Sequence, residues 1–200
     1  MSGDLRMFYF LSIFGGGKLI ALLNYIFQGG GTLLSFLSLL ALTFIQVAAV
    51  FIIDGILAFI IRRLPERWFS PEASAFSVGQ RERSIYRRLG IRRWKRYVPE
   101  WGCFTGFHKD RLVSKSDREY LGRFLLESNY GVAGHIAGAV LGYLIMLLPL
   151  PHPLTVALPV AAVNTVLSLL PTAILRYNTP PLERLYRRAK DSREEYAEVQ

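Results

Sequence analysis

Four stretches of this chain are apolar for long enough to cross a bilayer, and that limits its fold more than any other feature. A hydrocarbon core of about 30 Å takes roughly 20 apolar residues in helical form. The first stretch runs from about Met7 to Phe27, interrupted by Gly15, Gly16, Gly17 and Lys18. The second is Leu33 to Ile61 and carries one acid, Asp54. The third runs from about Gly131 to Leu150 and the fourth from Leu154 to Leu175. Backbone groups inside a bilayer find no water to bond, so such segments must be helical. The expected fold is all-α: a multi-pass membrane protein of about four transmembrane helices with amphipathic cytoplasmic helices. The glycines at 15–17 read as a helix break, which leaves open a broken or re-entrant first segment. Those at 29–31 read as a turn. Asp4 and the lack of a small-residue cleavage site argue that the first segment is retained and is not a cleaved signal.

Charge gives the expected orientation. Residues 62–123 hold 16 of the 24 Lys and Arg, and six more follow from Arg176 onward. The joins at Gln28–Thr32 and Pro151–Pro153 carry no charge. Lys and Arg collect on the cytoplasmic side, so both termini and the long basic loop are expected in the cytoplasm of a cell-membrane protein. The division that follows is an N-terminal hairpin at 1–64, a basic interfacial region at 65–128, a second hairpin at 129–176 and an amphipathic tail at 177–200. The net charge of +9 does not point to nucleic acid, because the orientation rule and anionic lipid account for it. Ile85, Tyr86, Leu89, Trp94 and Tyr97 interleave with arginines and lysines, as suits an interfacial helix. Leu182, Leu185, Tyr186 and Ala189 form a second stripe, with Pro180-Pro181 read as a helix start.

An ionisable group inside a span is a functional candidate by default. Asp54 and His135 are two notable cases, each expected within about 6–12 Å of the cytoplasmic end at 1.5 Å per residue. Gly131, His135, Gly138 and Gly142 share one helix face, and Gly134, Gly138 and Gly142 repeat a small-xxx-small pattern that admits a second helix. His135 therefore points toward protein. The bland reading is an interhelical hydrogen bonder. Glu127 lies two turns earlier, and Arg176, Tyr177 and Asn178 leave the fourth span at the same expected surface. Asn164 is an expected interhelical hydrogen bonder nearer mid-membrane. His108, His135 and His152 are too far apart for a metal set. Cys103 is the only cysteine, so no intramolecular disulfide forms. No phosphate loop, nucleophile elbow or His-x4-Asp acyltransferase pattern is present.

Several of these residues fall in a familiar order. Pro65-Glu66-Arg67-Trp68-Phe69 is followed by Glu82, Tyr86, Ile91-Arg92-Arg93-Trp94-Lys95, Pro99-Glu100 and Gly106-Phe107-His108-Lys109. Glu127, His135, Arg176-Tyr177-Asn178 and Pro181-Leu182 complete the series. From about Pro65 to Leu185 the chain resembles the glycosyl-4,4′-diaponeurosporenoate acyltransferase family, which finishes staphyloxanthin-type carotenoids. The resemblance implies a membrane acyltransferase that esterifies a hydroxyl of a membrane glycolipid. Its donor would be an acyl-CoA or acyl carrier protein thioester, and it needs no other cofactor. The family stretch Glu-Thr-x-x-x-Glu-x-x-His matches at Glu127 and His135, with Ser128 for threonine. Val132 replaces its second glutamate and Ile136 a frequent tryptophan.

On this reading His135 is the general base, since its pKa lies near the working pH. Glu127 or Asp54 orients the ring, as the acid of a catalytic triad does. Arg176, Tyr177 and Asn178 contact the donor or the developing oxyanion, and Trp94, Lys95 and Lys109 form the interfacial approach. Two other readings fit the same residues: a non-enzymatic lipid-binding or envelope-complex subunit, and a transporter built on the broken first segment and Asp54.

Overall fold

A computed structural model of the chain describes residues 3–98, 114 and 116–198. Every regular element among them is helical: α1 Gly3–Phe27, α2 Leu33–Ile61, α3 Gln80–Arg88, α4 Ile91–Trp94, α5 Arg118–Leu141 and α6 Leu158–Glu198. Three helical stretches are long and apolar enough to cross a membrane, Leu33–Ile61, Arg118–Leu147 and Pro153–Asp191. The part of α1 whose side chains are described adds an apolar helical stretch, Ile13–Phe27. The regular structure of the described residues is thus all helical, with three helices long and apolar enough to span a membrane where the sequence suggests about four.

Two compact units divide the chain: residues 1–59 with 134–170, and residues 60–133 with 171–200. We call them unit 1 and unit 2.

Unit 1 is built around the α1–α2 hairpin. Its turn is Gly29, Gly30 and Gly31, with φ of 85°, 76° and 150°, backbone that glycine adopts without a Cβ penalty. The Tyr25 hydroxyl donates to the Gly31 carbonyl at 2.6 Å and fixes the turn. Thr32 begins α2 by accepting the Ser35 amide on its hydroxyl. The glycines at 15–17 do not break α1, which runs through them without interruption. Gly17 instead permits a close approach: a Cβ there would lie 3.2 Å from the Phe44 ring. The unit's core is Val50, Ile145, Ala157, Val160 and Ala161. Asn24 ties α1 to the start of the last helical stretch by donating to the Thr155 carbonyl at 2.6 Å. The second hairpin turns at His152, whose φ is 62°, followed by a wide turn over Pro153–Ala157.

Unit 2 holds the basic segment and the last part of α6. Its core joins Phe124, Leu125 and Leu182, with Tyr120 and Tyr186 against them. Gly122 lets the Tyr186 ring approach α5, since a Cβ there would meet it at 3.2 Å. The connection after α2 is clipped to α5. Asn129, itself buried, donates to the Phe69 carbonyl at 2.9 Å, and the Phe69 and Tyr130 rings stack at 4.3 Å. Pro180-Pro181 does not start a new helix, because α6 is continuous from Leu158 to Glu198 with Pro171, Pro180 and Pro181 inside it. Prolines 180 and 181 supply no N–H to the Arg176 and Tyr177 carbonyls. The buried Thr179 hydroxyl bonds the Leu175 carbonyl beside them at 3.0 Å.

Candidate functional site

In unit 2 the basic region folds back on α6. Glu82 on α3 is the pivot. Its carboxylate receives two donors from the Arg176 guanidinium, one from Nε and one from Nη2 at 2.8 Å. The Tyr86 hydroxyl, one turn along α3, donates to the same carboxylate at 2.5 Å. Arg176 also donates to the Ser77 carbonyl at 3.2 Å, so it fixes both the loop before α3 and α3 itself. The guanidinium holds the Glu82 carboxyl below its ordinary range, against a smaller opposing effect of burial. Burial and the neighbouring carboxylate push the Tyr86 phenol up to about 12, so it remains a donor at any physiological pH.

The next two residues of α6 complete the cluster. Lys95 donates to the Asn178 amide oxygen at 3.1 Å and stands 5.5 Å from the centre of the Tyr177 ring, within range of a cation–π attraction. Four sequence candidates, Lys95, Arg176, Tyr177 and Asn178, are thus together. Trp94 sits beside Lys95 in the chain, with its indole donating to the Leu89 carbonyl at 3.0 Å; it closes the turn at Gly90, whose φ is 63°. Lys109 lies outside the described residues. Glu127 is held by Arg62, whose Nη2 donates to it at 2.7 Å, and the same guanidinium lies over the Tyr130 ring.

In unit 1, His135 is half-buried on α5. Asp54 reaches the same helix one turn further on. A Cβ at Gly138 would stand only 2.5 Å from Asp54 Oδ1, so the absence of a side chain there is what admits the carboxylate. Gly138 lies three residues from His135, on the face that carries it. Asn164 comes to the same place from α6, donating to the Gly138 carbonyl at 3.3 Å. Thr165 donates to the Ala139 carbonyl at 3.0 Å. Asp54 Oδ1 is buried and makes no hydrogen bond of ordinary geometry, with the Asn164 side chain as a polar neighbour of the carboxylate. A buried carboxylate oxygen left this way is costly in a bilayer.

Sequence reasoning placed Glu82 and Tyr86 in the family order and Tyr86 in an interfacial helix, and gave neither of them nor Arg62 a part in the site. Glu82 and Arg176 are 94 positions apart, and no local pattern couples them. Among the described residues no three His, Cys, Asp or Glu side chains group as a metal site would require.

A helical membrane protein with an acid–histidine helix face and a separate cationic, aromatic cluster is the class these observations define. The family is narrower. Residues 65–188 match the glycosyl-4,4′-diaponeurosporenoate acyltransferase family, and the chain belongs to it. No curated protein and no solved structure matches the chain.

Proposed function

We propose that this protein is an integral membrane acyltransferase that esterifies a hydroxyl of a membrane glycolipid, a glycosylated carotenoid being the acceptor the family name suggests. His135 takes the proton of the acceptor hydroxyl. The oxygen attacks the thioester carbonyl, the C–S bond breaks, and the departing thiolate takes the proton from the imidazolium. The donor is a long-chain acyl-CoA or acyl carrier protein thioester. The reaction is assigned to the cytoplasmic face of the cell membrane, with both termini on that side.

The observation that carries this reading is Asp54 pressed against Gly138, one turn from His135 on the same helix face. A carboxylate so placed can fix the ring's tautomer and stabilise its charged form. Glu127, the other candidate acid, already has Arg62 as a partner, which favours Asp54 for the ring and gives Glu127 the task of holding Arg62 near the polar head of a substrate. Lys95, Tyr177 and Asn178 supply donors and a cation suited to the donor's phosphates, with Arg176 ordering them through Glu82, and Trp94 and Lys109 contribute to the interfacial approach. Val132 is buried at 2% exposure where the family resemblance puts a glutamate, and on this reading Asp54 supplies the second acid.

Comparative lipid mass spectrometry of deletion and wild-type cells tests the reading. An acylated glycolipid should be missing in the deletion, restored by the wild-type chain, and not restored by His135→Ala or Asp54→Asn. Equal restoration by a folded His135→Ala variant would overturn the assignment.

A further inference from the structure

Unit 1 contains a groove of about 180 Å³ that the proposed chemistry does not use. Its walls come from α1, α2 and α6, and include Gly16, Gly17, Val47, Phe51, Val163 and Asn164. Among the described residues no charged side chain lines it. Along α1 it runs from Ile13 to Ile20 and along α6 from Val160 to Leu167, each about 10 Å at 1.5 Å per residue. On its rim Phe51 is 48% and Val163 45% exposed, so the groove opens sideways onto the lipid-facing surface of the spanning helices. Asn164, at 9% exposure, is its one polar side chain. The same amide donates to the Gly138 carbonyl, against which Asp54 is pressed. One buried amide thus both lines the groove and bonds the helix face that carries His135.

We propose that this groove seats the hydrocarbon chain of the acceptor lipid, with Asn164 marking the end at which its polar part begins. The inference rests on the acyltransferase reading for the word acceptor; the groove's occupancy by a lipid chain does not. An uncharged slot open to the bilayer excludes a phosphate-bearing or peptide ligand, since a charge there would lose its hydration without a partner. The acceptor is dissolved in the bilayer and enters through the open rim, whereas a soluble thioester arrives from water. The α1 and α2 walls precede residue 65, where the family match begins, so two of the groove's three walls lie outside the matched residues. Gly16 lies in the groove's α1 wall. A Cβ added there meets nothing within 4 Å, so a side chain at this position has open space to occupy.

The test is photo-crosslinking of the full-length protein in membranes with a diazirine-bearing long-chain alkyl glucoside, mapped by peptide mass spectrometry. Labels should fall on Val47–Phe51 and Val160–Leu167. Gly16→Leu should reduce them about tenfold, the equivalent of losing two buried methylenes. Gly15→Leu, which carries the same gain in helix propensity and does not line the groove, should leave them unchanged. Labels outside the groove, or labelling indifferent to Gly16→Leu, would overturn the proposal even if lipid acylation persists. Stronger labelling of these segments by a diazirine-bearing palmitoyl-CoA would also overturn it, by assigning the groove to the donor. Groove labelling together with an acylated-lipid profile unchanged in deletion cells would leave the lipid-binding groove standing and remove the acyltransferase reading.

Discussion

Arg176 shows how much one side chain can organise. Through Glu82 and Ser77 it binds α3 and the loop before it to α6, and its neighbours Tyr177 and Asn178 engage Lys95. The Glu82 side chain is 28% and that of Arg176 16% exposed, a partly solvated pair worth about 1 kcal/mol or less. The guanidinium lowers the Glu82 pKa from its ordinary 4.5. An acid with a depressed folded pKa stabilises the fold above its unfolded pKa and loses that contribution as pH falls through the folded value. The thermal midpoint in detergent should therefore be level above pH 4.5 on this account and decline below it. Glu82→Gln should lower the midpoint at neutral pH and flatten that part of the acid limb. An acid limb unchanged in Glu82→Gln would show that the pair contributes nothing to folding.

Helix α5 shows what a pattern reveals and what it withholds. The sequence offers Gly134, Gly138 and Gly142 as equivalent members of a close-contact stripe. In the structure they are not equivalent. A Cβ at Gly134 meets nothing within 4 Å, one at Gly138 meets Asp54 at 2.5 Å, and one at Gly142 meets the Asn164 amide at 2.9 Å. Gly134→Ala should be neutral or slightly stabilising, because alanine is the better helix former by about 1 kcal/mol. Gly138→Ala should destabilise by about 1–3 kcal/mol through overpacking, measured by unfolding in mixed micelles, and should reduce lipid acylation by displacing Asp54. Equal effects of the two substitutions would mean that Asp54 does not dock there. Periodicity revealed that a face of α5 is approached closely, because spacing of 3.6 is local information. That the approaching group is a carboxylate from position 54 depends on tertiary contact across 84 residues, which no spacing encodes. The same limit explains α6. Pro180-Pro181 reads locally as a boundary, yet the packing of Leu182 against Phe124 and Leu125 carries the helix through it.

At the scale of the molecule, the apolar runs made the helical membrane fold legible, because a bilayer leaves the backbone few alternatives. They suggest about four spanning helices, of which three are long and apolar enough among the described residues, and α1 bears on which side each terminus takes. Charge bears on it independently. Residues 62–123 follow α2 and carry 16 of the 24 cations, so that segment should face the cytoplasm whether or not α1 spans. The chain supplies its own probe there, because Cys103 is the only cysteine. A membrane-impermeant maleimide should fail to label Cys103 in intact cells and should label it in inverted vesicles. In a Cys103→Ser background, Gln28→Cys at the α1–α2 turn should show the opposite pattern if α2 spans from outside to inside. Labelling of Cys103 in intact cells would reverse the orientation and put the Lys95–Asn178 cluster on the side that cytosolic thioesters never reach.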